Sequence, residues 1–227
     1  MFYGDPTWLL LLPAVILSLY AQARVSSTYS KYGKIRARSG IAACDMARQL
    51  LDYNGLEAVR IEQVRGNLTD HYDPRSRVLR LSQTTYHSCS VAALGVAAHE
   101  AGHAMQHSEG YLPLKLRNTL APVAQFGSYA SWILIMIGIF SSGFGLIKLG
   151  IIFFSAAVLF QLVTLPVEFN ASSRALAALE GGGFLNQSET DQTAKVLKAA
   201  ALTYVAAALT AILQLLRLLL IFGDRRE

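Results

Sequence analysis

Residues 144–166, FGLIKLGIIFFSAAVLFQLVTLP, run directly into Val167-Glu168-Phe169-Asn170, and the reading of this stretch decides the fold. Its first part carries a single charge, Lys148, and exceeds the roughly 20 apolar helical residues that cross a bilayer. An acidic side chain then stands where the apolar run ends. Three further stretches have the same character: residues 2–23, 121–140 and 199–222. Across the chain 53% of residues are hydrophobic and 15% charged, against about 25% charged in soluble domains. These figures exclude intrinsic disorder. Four stretches of spanning length in 227 residues also argue against an ordinary soluble protein.

No Lys or Arg precedes the first apolar run, and Asp5 is its only early charge. Ala21-Gln22-Ala23 imitates a signal cleavage site, but Arg24, Lys31, Lys34, Arg36 and Arg38 follow it. A secretory peptide has the opposite polarity, so the segment reads as a retained anchor with its N-terminus outside. The expected organisation is an anchor over 1–23, an α+β block over 24–120 and two spanning helices over 121–166. A helical block over 167–198 and a last span with a short tail over 199–227 complete it. The two polar blocks hold 13 and 3 of the 20 Lys and Arg, which places both on the cytoplasmic side and both termini outside. Arg36, Arg38, Lys115 and Arg117 suit anionic headgroups. The net charge of +5 therefore needs no nucleic-acid partner, and a lipid bilayer is the expected one. Cys44 and Cys89 form no C-x-x-C pair, which fits a reducing compartment.

Within the first block, Ile41, Cys44, Ala47, Leu50 and Leu51 recur at helical spacing. Residues 59–64 and 77–81 alternate with period two and read as strands, separated by turn chemistry at Gly66-Asn67 and at residues 70–74. A polar connector, residues 82–90, leads to a small-residue helix from about Val91. In the second block Glu168 opens a helix that Gly181-Gly182-Gly183 ends. Residues 188–191 offer an N-cap for a helix continuing into the last span.

The helix from Val91 contains His99-Glu100-Ala101-Gly102-His103, an H-E-x-x-H motif. Residues four apart share a helix face, so His99 and His103 can turn imidazole nitrogens toward one Zn²⁺, one ion per chain. Glu100 lies about 100° round the helix, placed to act as acid and base toward water rather than to bind the metal. A catalytic zinc takes three protein ligands and keeps one position open. His107 is disfavoured as the third, because the helix rises about 12 Å over the eight residues from His99. Glu168 is the better candidate, since a carboxylate at a span boundary is costly without a partner. Glu109 and Glu180 are weaker rivals. Hydrogen-bond donors for a developing oxyanion are sought among His71, Tyr72, Tyr111 and Arg174. The strand Val78-Leu79-Arg80-Leu81 is a candidate edge against which an extended substrate pairs.

Asp70-His71-Tyr72-Asp73-Pro74, HEAGHAMQH at residues 99–107, residues 110–117 (GYLPLKLR) and residues 165–172 (LPVEFNAS) resemble the YugP-type bacterial membrane zinc metallopeptidases. The likeness extends over nearly the whole chain. It implies a mostly α integral membrane protein: four transmembrane helices and a small α+β gluzincin-like module. It further implies zinc ligands His99, His103 and Glu168, with Glu100 as catalytic acid and base. Broader membrane gluzincins carry E-F-x-A-D, whereas this chain has Ser172 in place of the Asp, so Ser172 and Asn170 are the candidates to orient a ligating histidine. Intramembrane proteases that use H-E-x-x-H place it inside a span and add L-D-G. Only eight apolar residues, 91–98, precede His99 here, and L-D-G is absent.

The expected function is a zinc endopeptidase acting on membrane or misfolded proteins at the cytoplasmic membrane face. The alternative is a membrane assembly or quality-control adaptor with a structural zinc. Structural zinc sites are usually closed and Cys-rich, and the cysteines here lie apart. A second copy of the chain or another membrane protein is a candidate partner.

Overall fold

The computed structural model describes residues 6–223. Asp5, Arg225, Arg226 and the placement of both termini fall outside the described residues. The chain is mostly helical. A 3₁₀ turn, Pro6–Leu11, leads into α1 (Leu12–Tyr32), followed by α2 (Ala43–Tyr53), β1 (Arg60–Val64), β2 (His71–Asp73) and β3 (Val78–Ser82). Then come α3 (Gln83–Tyr86), α4 (Val91–Ser108), α5 (Leu112–Phe140), α6 (Phe144–Gly181) and α7 (Gln187–Phe222). Two compact units result: one of residues 1–21, 113–166 and 203–227, the other of residues 22–112 and 167–202.

In the first unit the helices expose many large apolar side chains. Phe126, Tyr129, Ile133, Phe140 and Ile152 are all more than half exposed, an exterior that water penalises and hydrocarbon does not. The interior gathers Ile135, Ile147, Ile151, Phe154 and Val158 with Leu218 and Phe222. α5 and α6 approach closely at Gly127, where a Cβ would lie 2.9 Å from the Phe153 carbonyl oxygen. Small residues at such crossings are how helices pack without a hydrophobic drive. The helical stretches Pro6–Tyr32, Leu112–Phe140, Phe144–Gly181 and Gln187–Phe222 are long and apolar enough to cross a membrane.

The second unit is built around α4, whose Val91, Leu94, Ala97, Ala98 and Ala101 are all fully buried. A helix apolar all round must be enclosed. Here Met46, Leu50 and Leu51 of α2, Leu79 and Leu81 of β3, Ala175 and Leu179 of α6, and Val196 and Leu197 of α7 share one core with it. Ser90 caps α4 by accepting from the Ala93 N–H at 3.2 Å. α7 starts on Asn186 rather than Ser188. Asn186 Oδ1 accepts from the Glu189 N–H at 3.0 Å, and Glu189 Oε2 accepts from the Asn186 N–H at 2.9 Å. This reciprocal pair satisfies two otherwise orphaned donors.

The sheet corrects the expectation of an edge at Val78, Leu79, Arg80 and Leu81. Its order is β1-β3-β2, so β3 is the central strand, parallel to β1 and antiparallel to β2. Its main-chain groups are committed on both sides. Val78, Leu79, Leu81 and Ser82 are fully buried, and Arg80 is balanced by Glu62 of β1 and Asp73 of β2, each at 3.3 Å. The edge strand beside α4 is β2, within the stretch expected to be a turn. Three residues are too few for alternation to show. Nor does Glu168 open a helix: α6 runs unbroken through Pro166, and Glu168 lies inside it. The connector after β3 holds the four-residue α3.

One close contact brings α6 against the zinc-motif helix. A Cβ on Gly102 would lie 2.8 Å from the Ala171 carbonyl oxygen, nearer than real Cβ contacts come. Gly102→Ala should force the helices apart and destabilise the fold by about 1–3 kcal/mol, as overpacking does. A lowered thermal midpoint in detergent, together with weaker zinc retention, is the expected result. An unchanged midpoint would show that the contact relaxes freely.

Candidate metal centre

His99 and His103 sit one turn apart on α4, and Glu168 faces them from α6. His99 Nε2 lies 3.3 Å and His103 Nε2 3.7 Å from Glu168 Oε2. The potential ligand atoms of the three residues all lie within 4.8 Å of one another. Two atoms bound to one tetrahedral zinc at about 2.0–2.1 Å would stand about 3.3 Å apart, so the spacing fits. The donor set also fits, being two imidazoles and one carboxylate, as in known catalytic zinc sites. Glu168 is only 2% exposed, and a buried carboxylate requires compensation by cations or donors.

Hydrogen bonds orient both imidazoles. Gln106, fully buried, donates from Nε2 to the Val167 carbonyl at 2.8 Å and to Asn170 Oδ1 at 2.9 Å. The Val167 oxygen can only accept, which fixes which end of the amide is nitrogen. Gln106 Oε1 then faces His103 Nδ1 at 3.0 Å. Since that oxygen only accepts, Nδ1 carries a proton, and Nε2 is the nitrogen turned toward Glu168. Asn170 Oδ1 also accepts from Arg174 Nε at 2.7 Å, and Arg174 grips Glu109 through two bonds of 2.6 and 2.7 Å. On the other ligand, Ser172 Oγ lies 3.2 Å from His99 Nδ1. Both residues put forward to replace the missing Asp thus have a place: Ser172 directly, Asn170 through Gln106.

Burial disfavours a charge on His103, but the hydrogen-bonded Glu168 and nearby Glu100 outweigh it and raise the imidazole pKa. Hydrogen bonds from Arg174 hold the Glu109 carboxyl below its ordinary value, so Glu109 stays ionised and the fork intact. Glu109 is therefore engaged away from the histidines.

Glu100 is buried, and its Oε2 accepts from the Tyr72 backbone N–H at 2.9 Å. β2 supplies that donor from its outer edge, the side turned from β3. The Tyr72 hydroxyl is 2.9 Å from His107 Nδ1, and burial pushes its pKa up, which keeps the phenol protonated. His107 is thereby committed to Tyr72 rather than to the three-residue cluster. Of the remaining oxyanion candidates, His71 is exposed and bonded through Nδ1 to the Thr69 carbonyl at 2.9 Å. Tyr111 lies under the Arg174 guanidinium, 6.0 Å from its ring centroid.

With this geometry in hand, relatives can be compared. The sequence profile of a family described as "Putative neutral zinc metallopeptidase" matches residues 7–223. The chain belongs to that family. It is also 50% identical over 218 residues to the "Putative membrane protease YugP" of Bacillus subtilis (strain 168), covering 96% of this chain and 97% of that protein. No solved structure matches it.

Sequence reasoning missed Gln106 and the backbone role of Tyr72. The available signal for Gln106 was its position three residues after His103, one turn on along the same face. Removing a partner of a metal-binding histidine typically costs 10–100-fold in affinity. Gln106→Ala should weaken zinc binding by that order in competition with a chelator. Equal affinity of Gln106→Ala and the parent protein would remove Gln106 from the site.

Proposed function

We propose that this protein is a zinc-dependent peptidase in which His99, His103 and Glu168 hold one zinc ion and Glu100 carries the proton. The observation that carries this reading is the convergence of three donor atoms from two helices with Glu100 anchored beside them. Zinc bound there would polarise a substrate carbonyl and lower the pKa of water to about 7. The Tyr72 N–H fixes one oxygen of Glu100, and Oε1 makes no hydrogen bond among the described residues. Glu100 can therefore take a proton during attack and return it to the leaving amine. Gln106 and Ser172 keep the imidazole rings in register. The central, buried strand β3 is not available to pair with an extended substrate.

The small sheet, α4 and the Glu168 helix together support a gluzincin-like module. The concentration of Lys and Arg in residues 24–120 supports a cytoplasmic position for it, with the termini outside. A site of this kind on four membrane-length helices suits membrane or misfolded proteins as substrates. Such substrates, a surrounding lipid bilayer and a second copy or another membrane protein are the partners this reading implies.

Glu100→Gln tests the reading directly. The variant should retain one zinc per chain by elemental analysis and lose cleavage of a quenched fluorescent peptide by 10²–10⁴-fold, the usual worth of a positioned acid and base. Equal cleavage by the two proteins would overturn Glu100 as the proton carrier. Zinc retained with no cleavage by either would favour the adaptor reading.

A further inference from the structure

A cavity of about 330 Å³ opens beside α4, lined by residues 55, 56, 58 and 59, by Tyr72 and Arg77, and by Ala104, His107 and Ser108 of α4. Its volume lies at the lower end of the range for ligand pockets, room for one large side chain. Its position follows from helix geometry. Ala104, His107 and Ser108 come four, seven and eight residues after Glu100, on the same face, with Ala104 about 6 Å farther along the axis. That rise equals about two residues of extended chain. Tyr72 is the shared wall: its N–H holds Glu100, and its ring and hydroxyl border the cavity against His107.

The lining selects a chemistry. Leu56, Ala58, Val59 and Ala104 offer apolar walls, Arg77 is the one formal cation, and no Asp or Glu is among the lining residues. Arg77 makes no ion pair among the described residues. It is held at the β2–β3 turn with φ of 51°, in the left-handed region that ordinarily favours glycine. A side chain with an aliphatic stem and an anionic tip complements such a pocket, because a guanidinium pairs a carboxylate through two parallel bonds.

We propose that this cavity is a substrate subsite for an acidic side chain, glutamate above all, within two residues of the bond cut, with Arg77 reading the carboxylate. The proposal rests on the peptidase reading above. The zinc-loaded full chain in detergent micelles should be given a mixed decapeptide library, with cut sites read by mass spectrometry. Asp and Glu should be enriched at one fixed position within two residues of the cut. In matched peptides, Arg77→Glu should lower the Glu-over-Lys ratio of kcat/KM by at least 10-fold, with Arg77→Gln intermediate. Arg65→Glu, at an exposed arginine that does not line the cavity, should leave the ratio unchanged. No acidic enrichment, or a ratio indifferent to Arg77, would overturn the subsite.

If no peptide is cut, the peptidase reading fails, and the cavity is judged on binding alone. Fluorescein-labelled peptides with Glu or Lys fixed at each position in turn are then measured by anisotropy on the Glu100→Gln protein. Tighter binding of the Glu peptides that disappears in Glu100→Gln/Arg77→Glu supports the subsite. Equal binding of Glu and Lys peptides overturns it.

Discussion

A carboxylate buried to 2% exposure, facing two imidazoles across a helix contact, is the constraint on which this molecule depends. An ionised Glu168 in that position is expensive unless something positive meets it. Its neighbours supply the answer in two ways. The two Nε2 atoms converge on Oε2, and the space they define has the separations that a tetrahedral divalent ion requires. What looks like an electrostatic liability at the end of an apolar run stands in a cluster that could hold a metal ion.

The rest of the second unit serves that meeting. Gly102 allows α4 to come within touching distance of Ala171, which brings His99, His103 and Glu168 to one place. Gln106, anchored by the Val167 carbonyl, fixes the protonated nitrogen of His103, and Asn170, Arg174 and Glu109 support it in turn. The surface pair between Arg174 and Glu109 adds little stability in its own right, since exposed ion pairs are worth about 0–1 kcal/mol. Its contribution is directional, holding one plane of a chain that ends on a ligand. β2 closes the arrangement by giving Glu100, which shares α4 with the two histidines, a backbone donor from a separate element.

The residues of the centre were legible in the sequence for a physical reason. An i, i+4 histidine pair and a lone acid at a span boundary are both costly without a shared partner, and chance seldom supplies them together. The spans were legible because hydrocarbon demands length and apolarity and little else. Strand order was not. β1 and β3 alternate alike, and which of them is central depends on pairing, for which the only local sign was Arg80 between two carboxylates. β2 is too short to carry a period. Asn186, Ser188 and Thr190 are all competent caps, and the choice of Asn186 rests on reciprocity with Glu189. Pro166 sits within α6 even though proline interiors are unfavourable, so a break expected from composition is absent.

X-ray absorption at the zinc edge on the purified, zinc-loaded protein tests the central claim most directly. The account predicts a first shell of nitrogen and oxygen only, at about 2.0–2.2 Å, with the outer-shell pattern of two imidazoles. It also predicts that Glu168→Ala, with the fold intact, loses one light-atom ligand. Sulfur scattering at about 2.3 Å, which would implicate Cys44 or Cys89, or an unchanged shell in Glu168→Ala, would contradict it.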